Sequence, residues 1–254
     1  ATDGSRVFFC AAKGETWGQN EHPNFYQLDP QTGSLTLLAE ADLSYYTSKP
    51  KEGALWINGS DRISNNLFCF TAENELNKMT DWIGDIGSFD IFGDQAVISG
   101  KQGLDFDEVW TFDLKTGQAS CISDFNRSFL KEKAVSECEP LTIASHDWEV
   151  DGWIMKPADF DPNKTYPAIL TIHGGPKGAY HGTFGIDMQT WASAGYFVFF
   201  CNPIGSDGRG NEFAEIREKH GTVDYEDIMN FTDEVLKRYP QIDPQRMGVT
   251  GISY

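Results

Sequence analysis

One hairpin pattern occurs twice in the sequence and restricts the fold of its N-terminal half. Residues 25–33 read FYQLDPQTG and residues 109–117 read VWTFDLKTG, so Asp29 aligns with Asp113, 84 residues later, and Gly33 aligns with Gly117. Each copy is an apolar strand, a turn that closes with Asp-x-x-Thr-Gly, and a second strand. The glycine supplies the positive φ that such a turn needs. The repeat therefore predicts a series of similar antiparallel sheets.

The spacing of the repeat matches a β-propeller. A weaker copy, with strands at residues 55–57 and 67–70, lies midway between the two hairpins. This leaves about 42 residues per unit, within the range of roughly 40–50 for a four-stranded blade. We predict about three blades, the C-terminal blades of a propeller, with residues 88–92 as the innermost strand of the third. Propellers typically need four to eight blades to close, so three would be the end of a longer array.

The N-terminal domain is predicted to span residues 1–133. Residues 125–135, across its boundary with the next domain, are charged, lack a clear period and read as a linker. A β-sandwich whose hairpins happen to be similar remains the alternative to the propeller.

The C-terminal half alternates strands with helices. The sequence predicts a hairpin from residues 141–145 and 150–155, buried strands at 166–172, 196–201 and 247–250, and helices at 189–194, 211–220 and 224–239. Near-continuous apolar strands are typical of a sheet covered on both faces. Asp224 suits the N-cap of the last helix. The order predicts that residues 134–254 form the N-terminal half of an α/β-hydrolase domain.

Two glycine-containing motifs come directly after predicted buried strands. Gly251-Ile252-Ser253-Tyr254 gives the first four positions of a G-x-S-x-G nucleophile elbow, in which a sharp turn exposes the serine hydroxyl. His173-Gly174-Gly175-Pro176 comes after the strand at 166–172. Its glycines would let backbone N–H groups face a developing oxyanion, although a turn without chemistry would show the same letters.

The chain resembles the prolyl oligopeptidase family of serine peptidases, in particular its acylaminoacyl-peptidase and dipeptidyl-peptidase-like branches. The resemblance is carried by a propeller-like half followed by four motifs in order: His-Gly-Gly-Pro, Asn-Pro-x-Gly-Ser at residues 202–206, Asp-Tyr-Glu-Asp at 224–227 and Gly-x-Ser-Tyr. It implies that Ser253 is the nucleophile. It also implies that the backbone N–H of Tyr254 and one from Gly174 or Gly175 form the oxyanion hole.

Three residues within these motifs are further candidates for the substrate pocket: His173, Pro176 and Asn202. Many relatives carry Arg where this chain has Ile204, so details of the pocket are expected to differ.

The resemblance places the catalytic Asp and His after the serine in the chain. We therefore expect none of the five histidines to be the base; they are His22, His146, His173, His181 and His220. The polypeptide is expected to be a fragment that ends after the nucleophile and is inactive alone. Its expected partners are the missing C-terminal part of the hydrolase domain or another copy of the chain.

By the same resemblance, the activity is expected to be a peptidase that releases short N-terminal units from a peptide substrate. Two other functions stay open. One is an acyl esterase on the same fold, and the other is a non-enzymatic propeller and hydrolase piece that acts as an interaction module. No cofactor or metal is expected in any of the three.

Composition excludes some partners and suggests a compartment. The formal net charge of -18 argues against nucleic-acid and anionic-membrane binding, and the sequence has no apolar run long enough to span a membrane. Five scattered cysteines without a C-x-x-C pair indicate reduced thiols and a cytoplasmic protein. Two disulfides with one free thiol are the alternative.

Overall fold

The described residues divide into two compact units. A computed structural model describes residues 4–11, 22–39, 42–51, 54–70, 75–183 and 185–254. The first unit contains the described residues up to 102 together with 107–125 and 208–212, and the second contains 103–106, 126–207 and 213–254.

The first unit is made of three antiparallel sheets. The described strands of the first sheet are β1 (Val7–Ala11), β2 (Asn24–Leu28) and β3 (Leu35–Ala39), paired in that order. The second sheet has the order β4 (Tyr45–Lys51), β5 (Ala54–Asp61), β6 (Ser64–Phe70), β7 (Leu76–Lys78). The third consists of β8 (Gly84–Phe92), β9 (Gln95–Gln102), β10 (Glu108–Asp113) and β11 (Ala119–Cys121), again in chain order.

The repeated turns occupy equivalent positions, as the sequence predicts. Asp29 lies between β2 and β3, Asp113 lies between β10 and β11, and one complete sheet separates the two hairpins. In both turns the aspartate Oδ1 accepts two backbone N–H bonds, at 2.8 and 3.2 Å in the first and 2.9 and 2.8 Å in the second. The closing glycines have φ of 70° and 72°. Because the same side chains make the same bonds, the two segments are structural copies.

Alternation along the strands forms the core of the first unit. In β9, Ala96, Ile98 and Gly100 are buried while the residues between them are exposed, as expected for a strand with one face on a core. Trp82 and Trp110 meet edge to face in the same cluster, with ring centroids 5.6 Å apart.

The second unit has one mixed sheet flanked by helices. Its elements are α1 (Arg127–Leu130), β12 (Cys138–Ser145), β13 (Trp148–Met155), β14 (Tyr166–Ile172), α2 (Ile186–Ser193), β15 (Phe197–Asn202), α3 (Gly210–Ala214, whose first three residues fall in the first unit), α4 (Val223–Arg238) and β16 (Ile242–Gly251). The strand order is β12-β13-β15-β14-β16. Strand β14 runs parallel to both of its neighbours, and the other pairs are antiparallel.

Burial explains which strands are central. All six residues of β15 are buried, because the sheet continues on both sides of this strand and both of its faces are covered. In contrast, β16 is an edge strand of the described sheet, and Val249 is 68% exposed on it. Helix α4 covers one face of the sheet by burying Phe231 and Val235 against it.

Three local predictions in this unit are wrong. The helix predicted at residues 211–220 ends at Ala214. Asp224 is not an N-cap, because α4 begins at Val223 and Thr222 holds the N-cap position without a side-chain cap bond. The Asp224 carboxylate instead accepts a hydrogen bond from the Tyr254 hydroxyl. Residues 127–130, within the predicted linker, form the short helix α1.

Two further observations concern the whole of the described chain. Among the described helices, none is both long and apolar enough to cross a lipid bilayer. All five cysteines are described, and each is a free thiol in the structure. Burial raises the pKa of Cys69 to about 11 and that of Cys138 to about 12.

Candidate active site

The two glycine motifs lie side by side because their strands are parallel neighbours. Strand β16 pairs with β14 in register, with Thr250 opposite Thr171 and Gly251 opposite Ile172. The carboxyl ends of adjacent parallel strands meet at one edge of the sheet, where α/β proteins place their ligands. The predicted placement of Ser253, at the end of a strand parallel to β14, is confirmed.

Ser253 adopts the conformation that a nucleophile elbow requires. Its φ is 69°, in the left-handed region that side chains other than glycine rarely enter. A sharp turn of this kind at the end of a strand holds a serine hydroxyl out from the backbone. Strained backbone is concentrated at functional sites. Three other described residues besides glycine also have positive φ, so the position at the end of β16 matters as much as the angle.

Small residues let the end of β14 approach the elbow closely. A Cβ placed on Gly174 would lie 2.6 Å from the Ile252 carbonyl oxygen and 3.1 Å from the Ser253 Cβ. On the facing strand, a Cβ on Gly251 would lie 2.9 Å from the Ile172 carbonyl oxygen. The two strand ends could not come so close with any larger residue at these positions.

Gly175 is required for a different reason. Its φ is 141°, and a Cβ there would lie 2.4 Å from the Lys177 backbone nitrogen. The peptide bond between Gly175 and Pro176 is cis. Gly174 is therefore needed because it packs against the elbow, and Gly175 because the turn requires a positive φ.

The side chain of Tyr254 is anchored to the start of α4. Its hydroxyl donates a hydrogen bond to Asp224 Oδ2, and the hydroxyl oxygen lies 3.0 Å from His220 Nδ1. Burial and the bond to the carboxylate raise the pKa of Tyr254 to about 12. The residue after the serine is therefore held through its ring as well as through the backbone.

Comparison with known proteins gives the family. Residues 183–254 match the model of the prolyl oligopeptidase family. Over 131 residues the chain is 45% identical to the uncharacterized peptidase YuxL of Bacillus subtilis, covering 51% of this chain and 20% of that protein. Over 195 residues it is 30% identical to dipeptidyl-peptidase 5 of Porphyromonas endodontalis, covering 75% of this chain and 28% of the relative.

A solved structure matches along nearly the whole chain. The acylaminoacyl peptidase of Pyrococcus horikoshii superposes with a TM-score of 0.87 at 30% identity, covering 99% of this chain and 40% of that one. The chain belongs to the prolyl oligopeptidase family. It spans less than a third of the length of the two curated relatives and two fifths of the solved structure.

His173 of the family's His-Gly-Gly motif braces the turn that it begins. Its Nδ1 donates to the Gly174 carbonyl at 2.9 Å, so Nε2 is left to accept from Ser206 Oγ at 3.0 Å. Its ring meets Tyr180 edge to face at 5.2 Å. Burial lowers the pKa of His173 below its usual 6.5, which favours this neutral form.

Asn202 and Pro176 make hydrogen bonds with backbone groups near the same turn. Asn202 is 5% exposed, accepts from the Tyr180 backbone N–H at 2.7 Å and donates to the Tyr180 carbonyl at 2.9 Å. The Pro176 carbonyl accepts from the Gly178 N–H at 2.7 Å. The predicted pocket role of Asn202 and Pro176 stays a prediction, since the contacts seen are those of bracing residues.

Two clefts adjoin the elbow within the second unit. One, of about 470 Å³, lies beside α4 and is lined by Ser253, Tyr254, Asp224 and Ile228, among others. The other, of about 380 Å³, lies beside α2 and is lined by Gly174, His173, Tyr180 and Trp191, among others. Ser253 and Gly174 therefore face space on the two sides of β16.

Sequence reasoning missed four side chains that the structure brings to this site: Tyr180, Ser206, His220 and Asp224 as a partner of Tyr254. Tyr180 lies in a loop, where no hydrophobic period identifies it. Ser206 was noted only as the last residue of the Asn-Pro-x-Gly-Ser motif, without a role. Asp224 carried a signal, an acidic residue at a helix start, but that signal pointed to capping and not to a tertiary contact.

Proposed function

We propose that Ser253 is the nucleophile of a serine peptidase that releases short N-terminal units from peptides. The observation that carries the proposal is the left-handed Ser253 at the end of β16, with Gly174 packed against its Cβ. A serine held in a strained turn beside a glycine-rich strand end is the arrangement that acyl transfer needs.

In the proposed reaction, Ser253 Oγ attacks the scissile carbonyl carbon while a general base takes the hydroxyl proton. The carbonyl electron pair moves to oxygen, and this oxyanion accepts hydrogen bonds from the Tyr254 N–H and from the N–H of Gly174 or Gly175. Collapse of the intermediate expels the amine, which takes the proton, and leaves an acyl-enzyme. Water then releases the acyl group by the same steps.

The base and its acid are not assigned to residues of this chain. In the family order both come after the serine, and the contacts of His173 and His220 are those of bracing side chains. The 254-residue polypeptide alone is accordingly proposed to be inactive. The exposed edge at β16 is proposed to be covered by further chain of the same domain or by another copy.

The fold assignment and compartment are proposals of the same kind. We interpret the three antiparallel sheets as blades of a partial β-propeller, residues 1–133, and the mixed sheet as part of an α/β-hydrolase domain, residues 134–254. By the family resemblance, a propeller would restrict the active site to small or unfolded peptides. Five free cysteines favour a cytoplasmic location, where thiols stay reduced.

The names of the relatives suggest two substrate classes: peptides with an acylated N-terminal residue, and peptides from which a dipeptide is removed. Both leave a short acyl group on the serine, so one site geometry serves either. The choice between them depends on how the substrate N-terminus is bound.

The test uses the complete gene product. Wild type, Ser253→Ala and the control Ser193→Ala, which alters an exposed serine in α2, are incubated with a fluorophosphonate probe and with acyl-aminoacyl, dipeptidyl and simple ester chromogenic substrates. We expect labelling and peptide cleavage in wild type and Ser193→Ala, and loss of both by about 10⁴-fold or more in Ser253→Ala.

Other outcomes separate the alternatives. Ester hydrolysis without peptide cleavage would indicate an esterase. An unlabelled, inactive and fully folded wild type would indicate an interaction module. Measurable Ser253-dependent activity in residues 1–254 alone would contradict the proposal that this part is inactive.

A further inference from the structure

The side chain of Tyr254 is held by two neighbouring residues, although the proposed role of Tyr254 uses only its backbone N–H. Its hydroxyl carries one proton and donates it to Asp224 Oδ2. The neighbouring His220 Nδ1, 3.0 Å away, is therefore the donor in the second bond. The ring is also packed edge to face on His220, with centroids 5.3 Å apart. Ring and hydroxyl are fixed together.

Asp224 is placed as the acceptor of this hydroxyl. It is 5% exposed, and its Oδ1 has no hydrogen-bond partner among the described residues. A buried carboxylate with an unpaired oxygen is unfavourable, and the bond from Tyr254 offsets part of that cost. The first turn of α4 contributes too, because the free N–H groups of a helix start favour negative charge.

We propose that Asp224 is a positioning residue of the peptidase site, which holds the Tyr254 ring and thereby fixes the direction of the Tyr254 backbone N–H. The inference rests on the proposed function, in which this N–H stabilises the oxyanion.

The physical reason lies in the geometry of the elbow. The peptide that carries the Tyr254 N–H comes directly after the strained Ser253, so the backbone there has a tendency to relax. Anchoring the ring of the next residue to α4 opposes that rotation. An oxyanion donor acts through its fixed direction, so a residue that restrains it contributes to the rate without touching substrate.

A merely structural bond would behave differently from a positioning bond. Loss of fold stability alone would lower the amount of active protein but leave kcat per active site unchanged. Loss of donor direction would lower kcat with little change in KM, because the oxyanion exists only in the transition state.

The experiment measures kcat and KM of the full-length protein, with active sites counted by the fluorophosphonate probe. The variants are Tyr254→Phe, Asp224→Ala, which removes the acceptor, and the double variant, with Asp233→Ala as control because it removes the same charge from an exposed position of α4. We expect each single variant to lower kcat roughly tenfold, less than the 10²–10³ lost when an oxyanion donor is removed outright. The double variant should be no worse than either single, since both remove one shared contact.

Several results would overturn the inference while leaving the function standing. They are kcat within twofold of wild type in Tyr254→Phe, losses that multiply in the double variant, or an equal loss in Asp233→Ala. Tyr254→Phe keeps the ring and serves as the deciding variant should Asp224→Ala fail to fold. Activity that persists in Ser253→Ala would instead remove the proposed function, and this inference with it.

Discussion

Replacing Gly174 by alanine is the sharpest test of how the elbow is packed. The added Cβ would lie 2.6 Å from the Ile252 carbonyl oxygen, where ordinary contact begins at 3.4 Å, and 3.1 Å from the Ser253 Cβ. Both neighbours belong to the elbow, so no flexible side chain can move aside. The strand end and the elbow must separate by about 0.8 Å, a displacement of the size that costs on the order of 10² in rate.

The expected effects on activity and stability differ in size. The same overpacking should lower the free energy of unfolding by about 1–3 kcal/mol, which leaves a folded protein. We therefore expect Gly174→Ala to remain folded by circular dichroism, and to lose about 10²-fold in kcat/KM on the better chromogenic peptide.

Ser193→Ala provides the control. Ser193 is exposed in α2, away from β16, so this substitution should change neither rate nor stability. Folded Gly174→Ala with kcat/KM within twofold of wild type would refute the reasoning, because the structure leaves no room for the methyl group without moving Ile252 and Ser253.

Two further predictions concern other parts of the molecule. Gly33→Ala and Gly117→Ala should each destabilise by about 1–2 kcal/mol in urea unfolding, since a left-handed φ is the only obstacle at both sites and no atom lies within 4 Å; clearly unequal costs would contradict the equivalence of the turns. Burial lowers the pKa of His173, so its stabilising effect is complete above 6.5 and is lost as the pH falls through the lowered pKa. An NMR titration should find the His173 midpoint below 6.5, and His173→Asn should show a weaker loss of stability at acid pH; a midpoint at or above 6.5 would contradict this.

The sequence predicts most of the strands because their patterns are local. The duplicated Asp-x-x-Thr-Gly turns fix two hairpins through hydrogen bonds within nine residues. The apolar run of β15 indicates directly that this strand is central in its sheet. Helix ends were less predictable. At Asp224 the preference for a helix cap lost to a tertiary contact with Tyr254, thirty residues away, which no local pattern encodes.

Part of the candidate site could be predicted from the sequence in the same way, and part could not. Ser253 and Gly174 were identifiable because a nucleophile elbow and an oxyanion turn need particular residue types in short order. The side chains that support them were not. Tyr180 and Ser206 act through distant partners, and their positions become meaningful only once β14 and β15 are paired.

The left-handed backbone of Ser253 lowers the stability of the fold at a position where the proposed chemistry needs a side chain. A side chain in this region costs roughly 1–2 kcal/mol, a cost that glycine would not carry. Any lineage of this protein released from the need for catalysis would therefore gain stability by exchanging the serine for glycine. Under the proposed function, the hydroxyl of Ser253 is the reason for a side chain at a position where glycine would be more stable.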